Sequence, residues 1–329
     1  MRSLIRKLLP ALALCAAGLA GAAENAPLTT QSMQAFWWGD FAALEQQNAV
    51  LRQPGHVGKD GVVEVEWFRI GVGKVINASN DEAYLQELEK LTLQWTREHP
   101  TSALAHILYA RVLVAHGWAY RGGGYAKDVP PQAWQDFEDY LHRAARHLLD
   151  HAEVALSDSD GHNVLLGIAK TMDWDDQHIW NIVNDGLKRN PDDVTLYFTA
   201  LSSLLPKWGG DARRLDNFIR KATEQTKAQF GTGMYARLYS AAADEDYGHA
   251  LFQDSKADWP TFKRSYEDML ARYPSAGRRN RYAYMACLAR DKATLLEQFQ
   301  LLGDQLAPDS WGPNAQRSLE SCQRWAQQG

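Results

Sequence analysis

Residues His116–Pro131 read HGWAYRGGGYAKDVPP, with three glycines directly behind an arginine. A glycine run beside a cation is the raw material of a phosphate-gripping loop. That loop also needs a strand ahead of it and a lysine–hydroxyl pair to reach the phosphates and magnesium. Here a helical pattern, AHILYARVLVAHGWAYR, runs into the glycines, and Lys127 is followed by Asp128. A dinucleotide fingerprint fails on the same missing strand. The run therefore reads as a helix stop, because glycine takes a left-handed backbone at a helix end without penalty. A second chemistry stays open beside it. Trp118, Tyr120, Arg121 and Tyr125 offer aromatic walls and one cation to an anionic or glycan group.

Other constellations are weaker. His147 and His151 have the His-x-x-x-His spacing that can hold zinc on one helix face. The protease form needs a glutamate after the first histidine, and Leu148 stands there. No third ligand declares itself in the sequence, so the pair reads as edge histidines, and neither a metal nor a cofactor is expected. LSDSDGHN places Asp158, Asp160 and Gly161 at positions three, five and six of a calcium loop, but Leu156 and Gly167 occupy its first and last ligand positions. It reads as an interhelical turn. MDWDDQHIW offers paired carboxylates for glycoside hydrolysis, yet Asp175 and Asp176 suit a helix N-cap and first turn equally well. DEDYGH reads as a solvated loop, and Arg278, Arg279 and Arg281 of GRRNR as one solvated helix face. In LLPKWGGD, Pro206 stops a helix, the glycines turn the chain and Asp211 caps the next helix. Trp208 is then either a plug over the core or, with Lys207, an exposed contact. Of the 12 tryptophans, Trp95, Trp134 and Trp180 fall at core spacing, while Trp118, Trp208 and Trp311 near turns are candidates for a groove.

These side chains are carried by helices. Apolar residues recur at three- and four-residue steps nearly throughout. Ser79 and Glu82 have capping-box spacing ahead of Leu85, Leu88, Leu91 and Trp95. Proline opens a long run in which Trp134, Phe137, Leu141, Ala144, Leu148 and Ala155 share a face. GVVEVEWFRIGVGKVI is rich in β-branched residues, yet Val62, Val65, Phe68, Val72 and Val75 keep helical spacing, which predicts a helix. Gly39 and Asp40 mark a turn between two helices. Three junctions, TREHPTSALAHILYARVL, LKRNPDDVTLYFTALSSL and LARYPSAGRRNRYAYMACL, repeat one plan: a basic last turn, then Pro100, Pro191 or Pro274, then a helix of small and aromatic residues. Proline closing one helix and small residues opening the next is how tetratricopeptide pairs are punctuated. The unequal spacing predicts an all-α fold, an irregular right-handed α-solenoid of tetratricopeptide-like helix pairs.

Composition sets the compartment. Charged residues are 23% and hydrophobic residues 45% of 329, the range of a globular chain with a true core. Arg2, Arg6 and Lys7, an apolar stretch and the small residues of GAAE predict a removable signal over residues 1–23. A single helical-repeat domain then covers 24–329, with a possible subdivision near 210–230. The leader holds three basic and no acidic residues, so the remainder carries a net charge of −8. An acidic exported chain is a poor match for nucleic acid or anionic membranes, and nothing after the leader is expected to anchor in a membrane. Cys15 leaves with the leader. Cys287 and Cys322 remain as an even pair, and an oxidising compartment predicts a bridge between their helices.

AHGWAYRGGGYA, WQDFEDYLHRAARHL and LLPKWGGD together resemble the tetratricopeptide-like bacterial family known as domain of unknown function 4034, most clearly from about residue 100 to 211. Its Arg-Gly-x-Gly and Leu-Pro-x-Trp-Gly-Gly motifs are absent from plain tetratricopeptide repeats. Lys207 stands where arginine is as common, which weakens a bidentate anion role. The resemblance implies a helical repeat and transfers no catalytic residue. The expectation is an exported envelope scaffold in the periplasm that binds a protein or peptide. The alternative is a carbohydrate-active helical toroid with paired carboxylates, and a further one a component of a toxin–immunity system.

Overall fold

The computed structural model describes residues 26–53, 55–58, 61–191 and 193–328. The leader over residues 1–23, its cleavage point and Cys15 lie outside these residues. The described chain is all-α. Its helices are α1 Ala26–Trp38, α2 Phe41–Leu51, α3 Glu64–Ile76, α4 Glu82–Glu98, α5 Ala103–Arg121, α6 Pro131–Asp150, α7 Ala152–Ala155, α8 Ser159–Thr171 and α9 Asp176–Arg189. They continue as α10 Val194–Leu201, α11 Ala212–Gln225, α12 Lys227–Phe230, α13 Gly233–Ala242, α14 Leu251–Asp254, α15 Trp259–Arg272, α16 Ala276–Leu288, α17 Lys292–Leu302 and α18 Ala315–Gln327. A lone antiparallel bridge, Val57 to Val63, leads into α3. No helix among the described residues is long and apolar enough to cross a membrane.

The three proline junctions share one backbone geometry. His99, Asn190 and Tyr273 end α4, α9 and α15 with φ/ψ of −129/65°, −133/74° and −135/74°. The next helix is capped three residues later at the first two corners and two residues later at the third. Ser102, Asp193 and Ser275 accept from the amides of Ala105 (3.0 Å), Leu196 (2.9 Å) and Arg278 (3.5 Å). The repeat seen in the sequence is thus a repeat of corners, with variable lengths between them.

The helices stack in pairs. α3, α5, α8, α10 and α13 pack against one another in series, while α4 and α6 flank α5, α9 lies on α8, α11 and α15 on α13, and α17 on α16. The two sets differ in pattern. α5 and α10 are apolar nearly all round and bury most of their surface. The flanking α6 and α11 are strongly amphipathic and bury one stripe. In α6 the stripe is Phe137, Leu141, Ala144, Ala145 and Leu148. Its phenylalanine and leucines each contribute ~1.5–3 kcal/mol by burial. α1 crosses α3 at Gly71, where a β-carbon would stand 2.0 Å from Ser32 Oγ. The bare glycine lets the Ser32 hydroxyl donate to the Phe68 carbonyl at 3.0 Å. Three adjoining cores result, and the largest runs through Leu205, Leu215, Ile219, Ala222 and Phe230.

Several local expectations are corrected. Asp81, not Ser79, caps α4. Its carboxylate accepts from Ala83 N (3.0 Å) and Tyr84 N (3.2 Å), which frees Glu82 to meet His116 at 2.9 Å. The run from Pro131 to Ala155 is broken at His151, so Ala155 belongs to α7. DEDYGH extends α13 as a wide π-type turn over Ala243–Tyr247. Arg281 is turned inward, donating to Ser240 O (2.9 Å) and pairing with Asp244 (2.6 Å). Trp311 is fully buried, with its indole N–H on Asn280 Oδ1 at 3.2 Å. Cys287 and Cys322 form a disulfide that clips α16 to α18.

Candidate functional site

LSDSDGHN is no plain turn. Asp158 caps α8 and Asp160 sits in its first turn, and both are buried. They face Arg69 of α3, itself buried, whose guanidinium lies 2.6 Å from Glu66, 3.5 Å from Asp158, 3.7 Å from Asp160 and 3.7 Å from Asp193. Arg52 closes one side, 2.9 Å from Asp158, and Arg111 of α5 the other, 3.4 Å from Asp160. Burial alone would raise the Asp160 carboxyl, but Arg69, Arg111 and Arg52 hold it below the usual carboxylate range. Four acids from three helices thus share three arginines. The pattern escaped sequence reading because its members are 89 or more positions apart between α3 and α8.

This ion cluster fixes two cavities. Arg52 lines one of about 600 Å³ between the end of α2, the start of α10, α12 and Tyr273. Arg111 lines a groove of about 340 Å³ between α3, α5 and α8. Val114, Ala115, Val164 and Ile168 make the apolar walls of that groove, and Trp118 stands at its rim, 42% exposed. Asn163 is among its lining residues. Neither its amide nitrogen nor its amide oxygen has a hydrogen-bond partner, although both atoms are buried. Such a group costs ~1–3 kcal/mol while it stays unpaired. At Gly167 a β-carbon would meet nothing within 4 Å, which keeps the groove open.

The sequence candidates separate. Trp118 lines the groove. Arg121 does not face it as a free cation. Its guanidinium stacks on Trp118 (5.5 Å) and Trp134 (5.1 Å) and donates to Gly122 O at 2.9 Å and to Gly124 O. The glycine run is therefore a helix end, with Gly122 at φ +68° accepting that bond and Arg121 holding the loop. Tyr120 points elsewhere, stacked on His116 (5.6 Å) and Tyr140 (5.7 Å), and burial with Glu82 beside it pushes its hydroxyl up to about 12. Tyr125 is 80% exposed in the loop. Lys207 and Trp208 lie beyond α10. Lys207 Nζ donates to Glu245 O at 2.7 Å, and Trp208 is exposed, so it is no plug over the core. Among the described residues no hydrogen bond or ring contact joins them to Trp118.

The carboxylate pair of MDWDDQHIW is a cap. Asp175 accepts from His178 N at 3.0 Å at the exposed start of α9, and Asp176 reaches Arg214 at 3.5 Å. A third imidazole joins the histidine pair: His106 of α5 brings its Nδ1 to 3.0 Å from His147 Nε2, a neighbour the sequence did not reveal. Burial, then His151 and His106, depress His147 to about 3, so it is neutral at physiological pH.

Compared with protein-family models, with curated proteins and with solved structures, the chain matches none of them.

Proposed function

We propose that this chain is an exported helical-repeat scaffold that binds an extended peptide segment in the groove between α3, α5 and α8. The observation that carries the reading is the Asn163 amide of the groove lining, whose nitrogen and oxygen are both unpaired and which a small side-chain rotation would turn toward a bound segment. A peptide backbone offers one donor and one acceptor side by side, the match for a primary amide. An apolar side chain of that peptide packs between Val114, Val164, Ile168 and the Trp118 ring. Stacked helix pairs joined by three corners of similar C-cap geometry support the finer assignment, an irregular right-handed solenoid of tetratricopeptide-like pairs akin to the family its motifs resemble. The Cys287–Cys322 bridge supports export to the periplasm, where disulfides persist.

Panning a phage library of random peptides against the mature chain tests the groove. Enriched peptides share an apolar residue and bind the wild type. Asn163→Leu and Trp118→Ala each weaken that binding about tenfold or more, and Gly167→Phe, which fills the groove, abolishes it. Peptides that bind all three variants as tightly as wild type overturn the assignment.

A further inference from the structure

Seven of the ten histidines fall into two groups. Those at four positions face carboxylates: His56 and Glu64 (3.0 Å), His116 and Glu82 (2.9 Å), His162 and Asp185 (3.0 Å), His178 and Asp175 (2.7 Å). His106, His147 and His151 face one another instead, with no carboxylate partner among the described residues. Their ring centroids stand 4.4–5.0 Å apart, and one ring nitrogen from each lies within 4.8 Å of the other two. Three imidazoles gathered without a counter-ion make a ligand set.

The outer nitrogens are already anchored. A carbonyl only accepts, so His106 Nε2–H donates to Pro100 O at 3.0 Å and His151 Nδ1–H donates to His147 O at 2.9 Å. This leaves Nδ1 of His106 and Nε2 of His151 as the lone-pair nitrogens. His147 Nε2 carries the hydrogen toward His106, and moving that proton to its Nδ1 frees the third lone pair. Anchoring the second nitrogen on a backbone carbonyl is what fixes ring and tautomer in metal-bound histidines. The fold sets one anchor independently of any ion. In the next proline corner Tyr197 makes the same reach, its hydroxyl donating to Pro191 O at 2.8 Å. Tyr109 packs edge-on against His147 at 4.6 Å and holds the ring from the other side.

We propose that His106, His147 and His151 bind a divalent transition-metal ion of the imidazole-seeking class, Zn²⁺ foremost, tying the first turns of α5 to the corner between α6 and α7. Zinc holds nitrogens at ~2.0–2.1 Å, which places tetrahedral ligands about 3.3–3.4 Å apart. The 3.0 Å contact and the 4.8 Å limit bracket that spacing, so small side-chain rotations close the site. His106 is buried, His147 half-buried and His151 exposed, so the fourth position opens to solvent and takes water. Cu²⁺ and Ni²⁺ suit the same ligands.

The test uses the mature chain stripped with a chelator and titrated with ZnCl₂ at pH 7.5 by calorimetry, with Co²⁺ absorption as a second readout. The wild type takes up one ion per chain, and Co²⁺ gives the intense visible bands of tetrahedral coordination. Outer-shell partners alone are worth about 10–100-fold in affinity, so His147→Gln and His151→Gln each weaken binding about tenfold at least and lose those bands. His151 is exposed, so His151→Gln keeps the fold, checked by circular dichroism, even where His147→Gln does not. His178→Gln, a histidine outside the cluster, leaves binding unchanged. Absence of saturable binding by the wild type overturns the site. So does one-to-one binding that survives His151→Gln.

Discussion

Replacing Arg69 by methionine keeps most of the buried stem volume and removes the charge at the centre of the ion cluster. Four carboxylates, those of Glu66, Asp158, Asp160 and Asp193, then share Arg52 and Arg111. Arg52 remains 2.9 Å from Asp158 and Arg111 3.4 Å from Asp160, but Asp193 keeps only hydrogen-bond donors, the Ser159 hydroxyl and Leu196 N. Removing one partner from a buried ion pair costs about 3–5 kcal/mol, because a desolvated charge is left behind. Against a whole-domain stability of ~5–15 kcal/mol this is a large share. Urea unfolding followed by circular dichroism at pH 7.5 reads it directly. Adding Asp160→Asn to Arg69→Met removes one of the stranded charges and recovers about 1–2 kcal/mol, a coupling a double-mutant cycle isolates. The pH dependence has a defined sign. In the wild type the arginines hold Asp160 low. Without Arg69 burial prevails and lifts the folded carboxyl above its unfolded value of about 3.9. A raised folded pKa gives stability that is present at low pH and lost as pH rises through it. The deficit of Arg69→Met relative to wild type therefore narrows between pH 7.5 and about 5. A loss below ~1 kcal/mol, or strict additivity with Asp160→Asn, refutes the idea that the cluster holds α3, α8 and α10 together.

Two further outcomes follow from the C-terminal half. Reducing the Cys287–Cys322 bridge, or replacing Cys322 by serine, opens a loop of 35 positions and costs ~3–4 kcal/mol in the chain-entropy model, and an unchanged melting temperature under reductant refutes it. At the start of α17, burial would raise Asp291, but the Thr294 amide and hydroxyl, the Trp259 indole and Lys263 bring it down to about 2. Its contribution is therefore full above about pH 4 and lost as pH falls toward about 2. Discounted for its partial exposure to solvent, Asp291→Asn costs ~1 kcal/mol at pH 6 and nothing near pH 2, and an equal cost at both pH values in urea titrations refutes the assignment.

The corners of this protein were legible because they are local. Proline after a basic turn, a cap two or three residues beyond the C-cap, and Gly122 at a helix end act within a handful of residues, and the backbone angles at His99, Asn190 and Tyr273 agree to within about 10°. The helix in GVVEVEWFRIGVGKVI was legible for the same reason, its period surviving a β-rich composition, although it starts only at Glu64, so Val62 lies ahead of it. Where a local rule had two acceptors to choose between, it chose wrongly: Asp81 outcompetes Ser79 because a carboxylate is the stronger acceptor for helix amides. Burial of a residue beside a turn was not legible either. Trp311 is sealed in the core while Trp208 stands in solvent, and both follow turn-forming residues.

The amino-acid sequence by itself determined the helices, their corners and the pairing of the last two cysteines, since periodicity, capping and a two-member set need no knowledge of distant neighbours. Only tertiary structure decided which polar groups meet. His106 joins His147 and His151 across 41 positions, and Arg69 joins Asp158 across 89. Asn163 is left without a partner between helices that are far apart in the chain. The physical reason is that a helix presents its side chains on faces 3.6 residues apart, while crossing angle and register between helices come from core packing summed over many contacts. A polar residue's neighbour is therefore set by the whole stack, and no short stretch of sequence carries that information.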